Sequence, residues 1–316
     1  MNRVLLVDGS NLLWRGYHAI TSKYKPKATN PDDPLAEAMG DIPAQVFVTS
    51  FLQSLKNYVL RFEPTEIYVV WDKKLCHPST NFRKQSVTVA YKANRDPSIA
   101  KKVYESEEML SPLVQSLGAK VMYPYVLEGD DVIAWLSYKL KDSKITIVSV
   151  DKDLSQLVTN NCILFDPIKD IEITPDNFEI HLSVPQKDYL TYKALLGDSD
   201  NINGVKGYGK KKAAEAAIAW DPTKFDTATL ELIETYIKLM DLTHGLKVHP
   251  EDVVSYQEQF EQLSTHGTDF KQFALLVEEA KLPQIKNKIE QWRGIFNKGV
   301  TIKGTPINSY LKGLFT

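Results

Sequence analysis

Three short stretches of the chain share one pattern, a nearly unbroken run of Val and Ile that ends in an acid. They are RVLLVD at 3–8, EIYVVWD at 66–72 and KITIVSVD at 144–151. Apolar runs of this length without polar alternation read as strands buried on both faces, as in a parallel sheet. Helical spacing fills the gaps between them. Ala44–Phe62 sets Phe47, Phe51, Leu55 and Val59 on one face, and Ser98–Leu117 and Asp130–Leu140 also read as helices. Strand–helix–strand alternation predicts an α/β fold with right-handed crossovers. Two more short strands are expected at Lys120–Tyr123 and Cys162–Phe165.

The segment from about 21 to 43 holds Pro26, Pro31, Pro34 and Pro43 and reads as a long loop or insertion. From about 174 the strand signal fades, and helices are expected at Pro185–Leu196, Lys210–Trp220, Ala228–Met240 and Pro283–Phe296. A chain of 316 residues suits two domains, a core over 1–180 and a helical region over 181–316. With 43% hydrophobic and 25% charged residues it is an ordinary globular chain, not a disordered or collagen-like one. Its apolar runs are far too short to span a bilayer, and no secretory signal is visible, so no membrane partner is expected. Cys76 and Cys162 are too few for a disulfide scaffold, which suits a reducing cytoplasm (a host's, if the source is viral).

The acids that end the three runs, Asp8, Asp72 and Asp151, have chemical consequences. Ligands of an open parallel sheet bind beyond the carboxyl ends of its strands. If the three strands are adjacent, these carboxylates converge there, joined by Glu128, Asp130 and Asp131 of LEGDDV and by Asp153. A single Asp after a strand is ordinarily a helix cap or a turn residue. Independent capping does not account for so many. Crowded carboxylates must be protonated or neutralised by cations, and all-oxygen ligands select hard divalent ions such as Mg²⁺ or Mn²⁺. Two such ions roughly 4 Å apart are a device for phosphodiester hydrolysis.

The net charge of −2 hides basic patches of the opposite sense. Residues 81–102 carry six Lys or Arg against one Asp, and 204–212 carry four Lys and no acid. In the first, Phe82, Arg83, Lys84, Tyr91, Lys92 and Arg95 mix aromatics with cations, as suits phosphate contact and base stacking. The second, GVKGYGKKK, nearly fits a phosphate-binding P-loop, but Lys211 stands where Ser or Thr is needed and no strand precedes it. It reads instead as a turn between helices. Gly204, Gly207 and Gly209 would let backbone N–H groups approach a DNA phosphate, with Lys206, Lys210, Lys211 and Lys212 adding sequence-independent attraction.

Taken together, VDGSNLLWR at 7–15, VVWD at 69–72, FRKQ…AYKANR at 82–95, EGDDVIAWL at 128–136, VSVDKDLSQLV at 148–158 and GDSDNINGVKGYGKKKAAE at 197–215 resemble the 5′-nuclease (flap endonuclease) family. That family includes the 5′-nuclease domain of bacterial DNA polymerase I and the stand-alone enzymes of bacteriophages. The resemblance implies a PIN-like α/β parallel-sheet core with a helical arch at about 80–105. It also implies a mainly helical C-terminal region with a helix–three-turn–helix at about 195–220. One metal site would use Asp8, Asp72, Glu128 and Asp130, with Asp131 nearby. The second would use Asp151, Asp153 and an Asp of the GDSDN turn. Lys92 and Arg95 match the arch pair that contacts the scissile phosphate, and Tyr91 would stack on a base. The family keeps two residues between the acids of that turn, whereas only Ser199 separates Asp198 from Asp200, so the metal-facing one is left open with Asp198 preferred.

The expected activity is a Mg²⁺-dependent 5′→3′ exonuclease and flap endonuclease, with Mn²⁺ as a substitute ion, acting on branched or flap DNA, nicked duplex and RNA–DNA primer hybrids. Two other readings stay open. One is an aspartyl-phosphate phosphatase using Asp151 and Asp153; the other is a non-catalytic branched-DNA-binding protein. No polymerase follows residue 316, which suits a stand-alone enzyme. The tail with Ile307, Tyr310, Leu311, Leu314 and Phe315 would dock on a replication protein or on its own core.

Overall fold

The computed structural model describes residues 2–24, 42–72, 75, 81–85, 97–198, 202–264 and 266–297, with backbone alone at 22–24 and 97–102. The arch residues Tyr91, Lys92 and Arg95, together with Cys76, Asp200 and the tail from 298, lie outside the described residues.

Six strands form one sheet: β1 (Arg3–Asp8), β2 (Glu66–Val70), β3 (Lys120–Met122), β4 (Lys144–Val148), β5 (Cys162–Asp166) and β6 (Ile171–Ile173). Their order is β3-β2-β1-β4-β5-β6, parallel throughout except for β6, which pairs antiparallel with β5. The three acid-ended strands are therefore neighbours, with β1 in the middle. Side chains alternate between the faces, as the pleat requires. Val4 and Leu6 enter one apolar cluster with Tyr68 and Val70; Leu5 and Val7 enter the other with Ile67 and Val69.

Helices cover both faces. On one side lie α1 (Gly9–Tyr24), α2 (Ala44–Phe62) and α4 (Pro97–Ser116), α3 being the short Phe82–Gln85 turn of helix. Helix α2 starts at Pro43 and buries Phe47, Phe51, Leu52, Leu55 and Val59, each contributing about 1.5–3 kcal/mol. It ends where Glu63 turns left-handed at φ 44°. On the other side lies α5 (Gly129–Lys139), followed by a 3₁₀ turn at Lys152–Leu157 and α6 (Phe178–Leu182). The first proline-rich reading needs adjustment, because α1 runs on to Tyr24.

The C-terminal region supplies α7 (Tyr189–Leu196), α8 (Lys210–Ile218), α9 (Thr227–Met240), α10 (Leu242–Val248), α11 (Pro250–Gln262), α12 (Phe270–Glu279), α13 (Pro283–Lys286) and α14 (Ile289–Phe296). The single helix expected over Pro283–Phe296 is thus two, with buried Ile285 and Trp292 on either side of the break. These helices do not form a core apart. Tyr192, Tyr236 and Tyr256 pack in the cluster of the one sheet face, and Phe273 and Trp292 in that of the other. Among the described residues no helix is long and apolar enough to cross a membrane.

Helices α7 and α8 flank the glycine-bearing turn, which is pinned by the Asp198 N–H donating to the Ile202 carbonyl. Gly204 sits at φ +67°, and a Cβ there would lie 2.5 Å from the Leu196 carbonyl carbon, so any side chain is both strained and blocked by backbone. Gly204→Ala should destabilise the protein by roughly 2 kcal/mol or more, read as a lower urea midpoint. Gly207→Ala, strained in φ but facing open space, should lose clearly less.

Candidate active site

Each strand delivers its acid to the same edge. Asp8, the last residue of β1, is buried. It accepts a hydrogen bond from the Ser149 hydroxyl (2.7 Å) and another from the Asn11 backbone N–H (3.1 Å). Asp72 follows β2; its N–H donates to Ser10 Oγ and its carboxylate accepts the Gly129 N–H at 2.8 Å. Glu128 and Asp130 open α5, and with Asp153 and Asp198 they line one recess closed by Leu239, Met240 and Leu242. Asp151, just past β4, caps the 3₁₀ turn by accepting the Asp153 N–H at 2.8 Å. Acids from five separate stretches of sequence are therefore brought together.

Their crowding shows in their titration. Burial, with the Asp72 charge next in weight, pushes Asp8 from 3.8 up to about 7, although Ser149 and Asn11 pull the other way. Burial likewise pushes Asp153 up to about 6; Lys193 opposes this while Asp151 and Asp198 add to it. Lys193, from α7, donates to both Asp153 and Asp198. Burial alone would depress its ammonium, but Asp153 and, further down, Asp198 outweigh that and hold it above its ordinary value. Ser149, whose hydroxyl meets both Asp8 and the Asp151 N–H, and Lys193 were missed in the sequence. No local signal singles out a Ser inside a strand end or one Lys in an apolar helix.

Arg83 and Asp131 take a structural place beside the acids. Asp131 is not among the residues that line the recess, whereas Arg83 is a buried part of its wall. Arg83 is 2% exposed and Asp131 fully buried. Nη1 and Nη2 of Arg83 donate to the two carboxylate oxygens of Asp131 at 2.6 and 2.9 Å, while Nε donates to the Leu239 carbonyl. A pair this buried persists only when its hydrogen bonds are satisfied, and here each member is bonded to the other and to neighbours around it. The pair stands directly behind the ligand set: Asp131 also accepts the Glu128 N–H at 3.1 Å, and Arg83 Nη1 lies 3.8 Å from Glu128. Phe82 is likewise no free stacking surface, since it packs against His244 and His249.

The wall behind this pair comes from the C-terminal helices. Asp252 of α11 accepts the backbone N–H groups of Tyr125, Val126 and Leu127 and the Tyr256 hydroxyl, setting the strand-to-helix loop that leads to Glu128. His249 Nε2 accepts the Phe82 N–H, and its Nδ1 lies 2.7 Å from Glu251. His249, Glu251 and Asp252 gather their ligand atoms within 4.8 Å, but these bonds make the group a scaffold rather than a metal centre. Gly245 of α10 is equally determined by the ion pair, because a Cβ there would lie 2.7 Å from Asp131 Oδ1.

The basic residues of the turn are exposed. Lys206, Lys210, Lys211 and Lys212 face solvent around Gly207 and Gly209, with Lys212 Nζ 4.2 Å from the centre of the Tyr208 ring. Lys84 is exposed at the foot of the expected arch.

A family model described as the N-terminal resolvase-like domain of 5′-3′ exonucleases matches residues 3–182. The 5′-3′ exonuclease of Buchnera aphidicola subsp. Schizaphis graminum is 29% identical over 214 residues, spanning 66% of this chain and 68% of that protein. The thermostable DNA polymerase I of Thermus aquaticus is 30% identical over 245 residues, 77% of this chain but 27% of the polymerase. Among solved structures, the bacteriophage T5 5′-exonuclease with bound zinc ions superposes at a TM-score of 0.64 with 18% identity, covering 84% of this chain and 99% of that one. Flap endonuclease-1 from Methanococcus jannaschii superposes at 0.52 with 15% identity, covering 95% and 94%. These two similarities establish the fold.

The Asp8 carboxyl binds its proton more tightly in the folded chain than in the unfolded one. Its stabilising contribution is thus fully present below the unfolded value and disappears as pH rises through the folded one. Metal-free protein should therefore lose stability between about pH 4 and pH 7. Asp8→Asn should lose less across that window in thermal melts, and identical slopes for the two proteins would contradict the assignment.

Proposed function

Because the chain belongs to the 5′-3′ exonuclease family, we propose that it is a structure-specific 5′ nuclease that hydrolyses phosphodiesters of flap DNA, nicked duplex and RNA–DNA primer hybrids with two Mg²⁺ ions. The observation that carries this reading is the edge itself: Glu128, Asp130, Asp153 and Asp198 line one recess, and Asp8 beside them is raised to about 7 by burial and by Asp72, with Asp151 adding to it. An all-oxygen donor set of this density fits hard divalent ions. Asp8, Asp72, Glu128 and Asp130 would hold one ion, and Asp151, Asp153 and Asp198 the other. When bound, the ions supply a water of lowered pKa and the positive charge that stabilises an in-line displacement at phosphorus.

The chain's own groups do the rest. Ser149 keeps Asp8 and the Asp151 backbone in register. Lys193 draws Asp153 and Asp198 together. The buried Arg83–Asp131 pair holds the start of α5, and with it Glu128 and Asp130, against the foot of the arch. Lys92 and Arg95 contact the scissile phosphate, Tyr91 stacks on a base, and Lys84 adds charge at the arch foot. Lys206, Lys210, Lys211 and Lys212 grip duplex phosphates at the glycine turn. The phosphatase reading gives no role to the acids of β1, β2 and α5 or to the exposed lysines of the glycine turn.

Asp130→Asn should keep flap-DNA affinity in Ca²⁺ within about threefold and lose at least about a hundredfold in single-turnover cleavage in Mg²⁺. Undiminished cleavage would remove the metal argument. Lys92→Ala should slow single-turnover cleavage by about 10²–10³-fold with little change in Kd; an unchanged rate constant would refute its contact with the scissile phosphate.

A further inference from the structure

A second recess, of about 70 Å³, lies between the end of β4, the β5–β6 pair and α6 and shares the Ser149 wall with the acid edge. That is room for several water molecules, one of which needs roughly 10–15 Å³. Its polar lining is Ser149, Lys152, Asp166, Lys169 and His181. Lys152 stands on the 3₁₀ turn, and Lys169 on the β5–β6 turn with 54% of its side chain exposed. Lys210, at the start of α8, acts on Lys152 as a like charge, as do Lys169 and Lys193. The acid facing this group is Asp166, whose carboxylate already accepts the backbone N–H groups of Ile168 and Lys169 at 2.9 and 3.2 Å and lies 3.9 Å from Lys169 Nζ. Two lysines, Lys152 and Lys169, thus line the recess against one acid, Asp166, beside an edge of carboxylates.

That placement has a physical use. A phosphodiester approaching the acids is repelled until cations intervene, and fixed lysines flanking the edge offset part of that repulsion. Lys152 adjoins the acid edge in sequence, between Asp151 and Asp153, whereas Lys210 belongs to the glycine turn. We propose that Lys152 and Lys169, which line this recess, form a binding site for an internal backbone phosphate of the substrate, between the cleavage edge and the exposed lysines at the start of α8. The site rests on the nuclease reading above and adds to it a contact at the β5–β6 turn, an element that no motif pointed to.

The test is flap-DNA binding in Ca²⁺ by fluorescence anisotropy over a range of KCl concentrations. Lys169→Gln should weaken binding about three- to tenfold and reduce the slope of log K against log salt by about 0.9, the value for one duplex phosphate contact. Lys169→Glu should weaken it further. Lys286→Gln, a change on α13 at a lysine paired with Glu278, should leave both quantities unchanged. An unaltered slope in Lys169→Gln, while Lys211→Gln lowers it, overturns this site and leaves the nuclease reading standing. Failure of the wild type to bind flap DNA overturns both. The loss should be equal on 5′-hydroxyl and 5′-phosphate substrates; a loss confined to 5′-phosphorylated ends would mean a terminal phosphate and would overturn the internal one.

Discussion

Mutual repulsion among carboxylates at the carboxyl edge of the sheet is the constraint to which the rest of the molecule answers. Parallel pairing of β2, β1 and β4 in register puts Asp8 between its neighbours' acids. Burial there makes ionisation costly, which raises Asp8 to about 7 and Asp153 to about 6. The protein relieves part of this from within, through the Ser149 hydroxyl on Asp8 and the Lys193 ammonium between Asp153 and Asp198. What remains is a site whose energetics favour the capture of cations. That links the stability of the fold to the chemistry of the edge, because a cation bound there would offset the charges that repel one another.

Rigidity behind the edge comes from a chain of buried polar bonds. Asp252 gathers three successive backbone N–H groups, and those residues lead into Glu128. Arg83 and Asp131 pair out of solvent and join α3 to α5 and to the Leu239 carbonyl at the end of α9. Each charge in this network has its partners, which is the condition for tolerating burial at all. The C-terminal helices are thereby part of the active-site framework. They pack on the same apolar clusters as the sheet and hold the loop that presents two of its acids.

Charge is segregated around that framework. With a net charge of −2 the chain appears neutral in bulk. Acids occupy the sheet edge, while Lys152 on the 3₁₀ turn, Lys169 on the β5–β6 turn and the lysines that open α8 carry charge of the opposite sign. Such segregation would draw a polyanion towards the lysines rather than the acids.

The chain by itself determined the α/β architecture and the acids that would converge if the three strands were neighbours, a condition that the strand order β2-β1-β4 meets. Continuous apolar runs and terminal acids are local patterns, and a parallel sheet converts them into one edge. Most helix positions were legible for the same reason, since α2 and α5 carry the period of their own buried faces. Which charge serves which role was decided by tertiary structure alone. Arg83 and Asp131 read as a DNA contact and a ligand because residue type and motif position say nothing of burial; only the approach of α9 and α10 turns them towards each other. Lys193, Ser149 and Asp252 were silent in the sequence, because a polar side chain takes its meaning from partners up to 141 residues away in the chain, which no local pattern records.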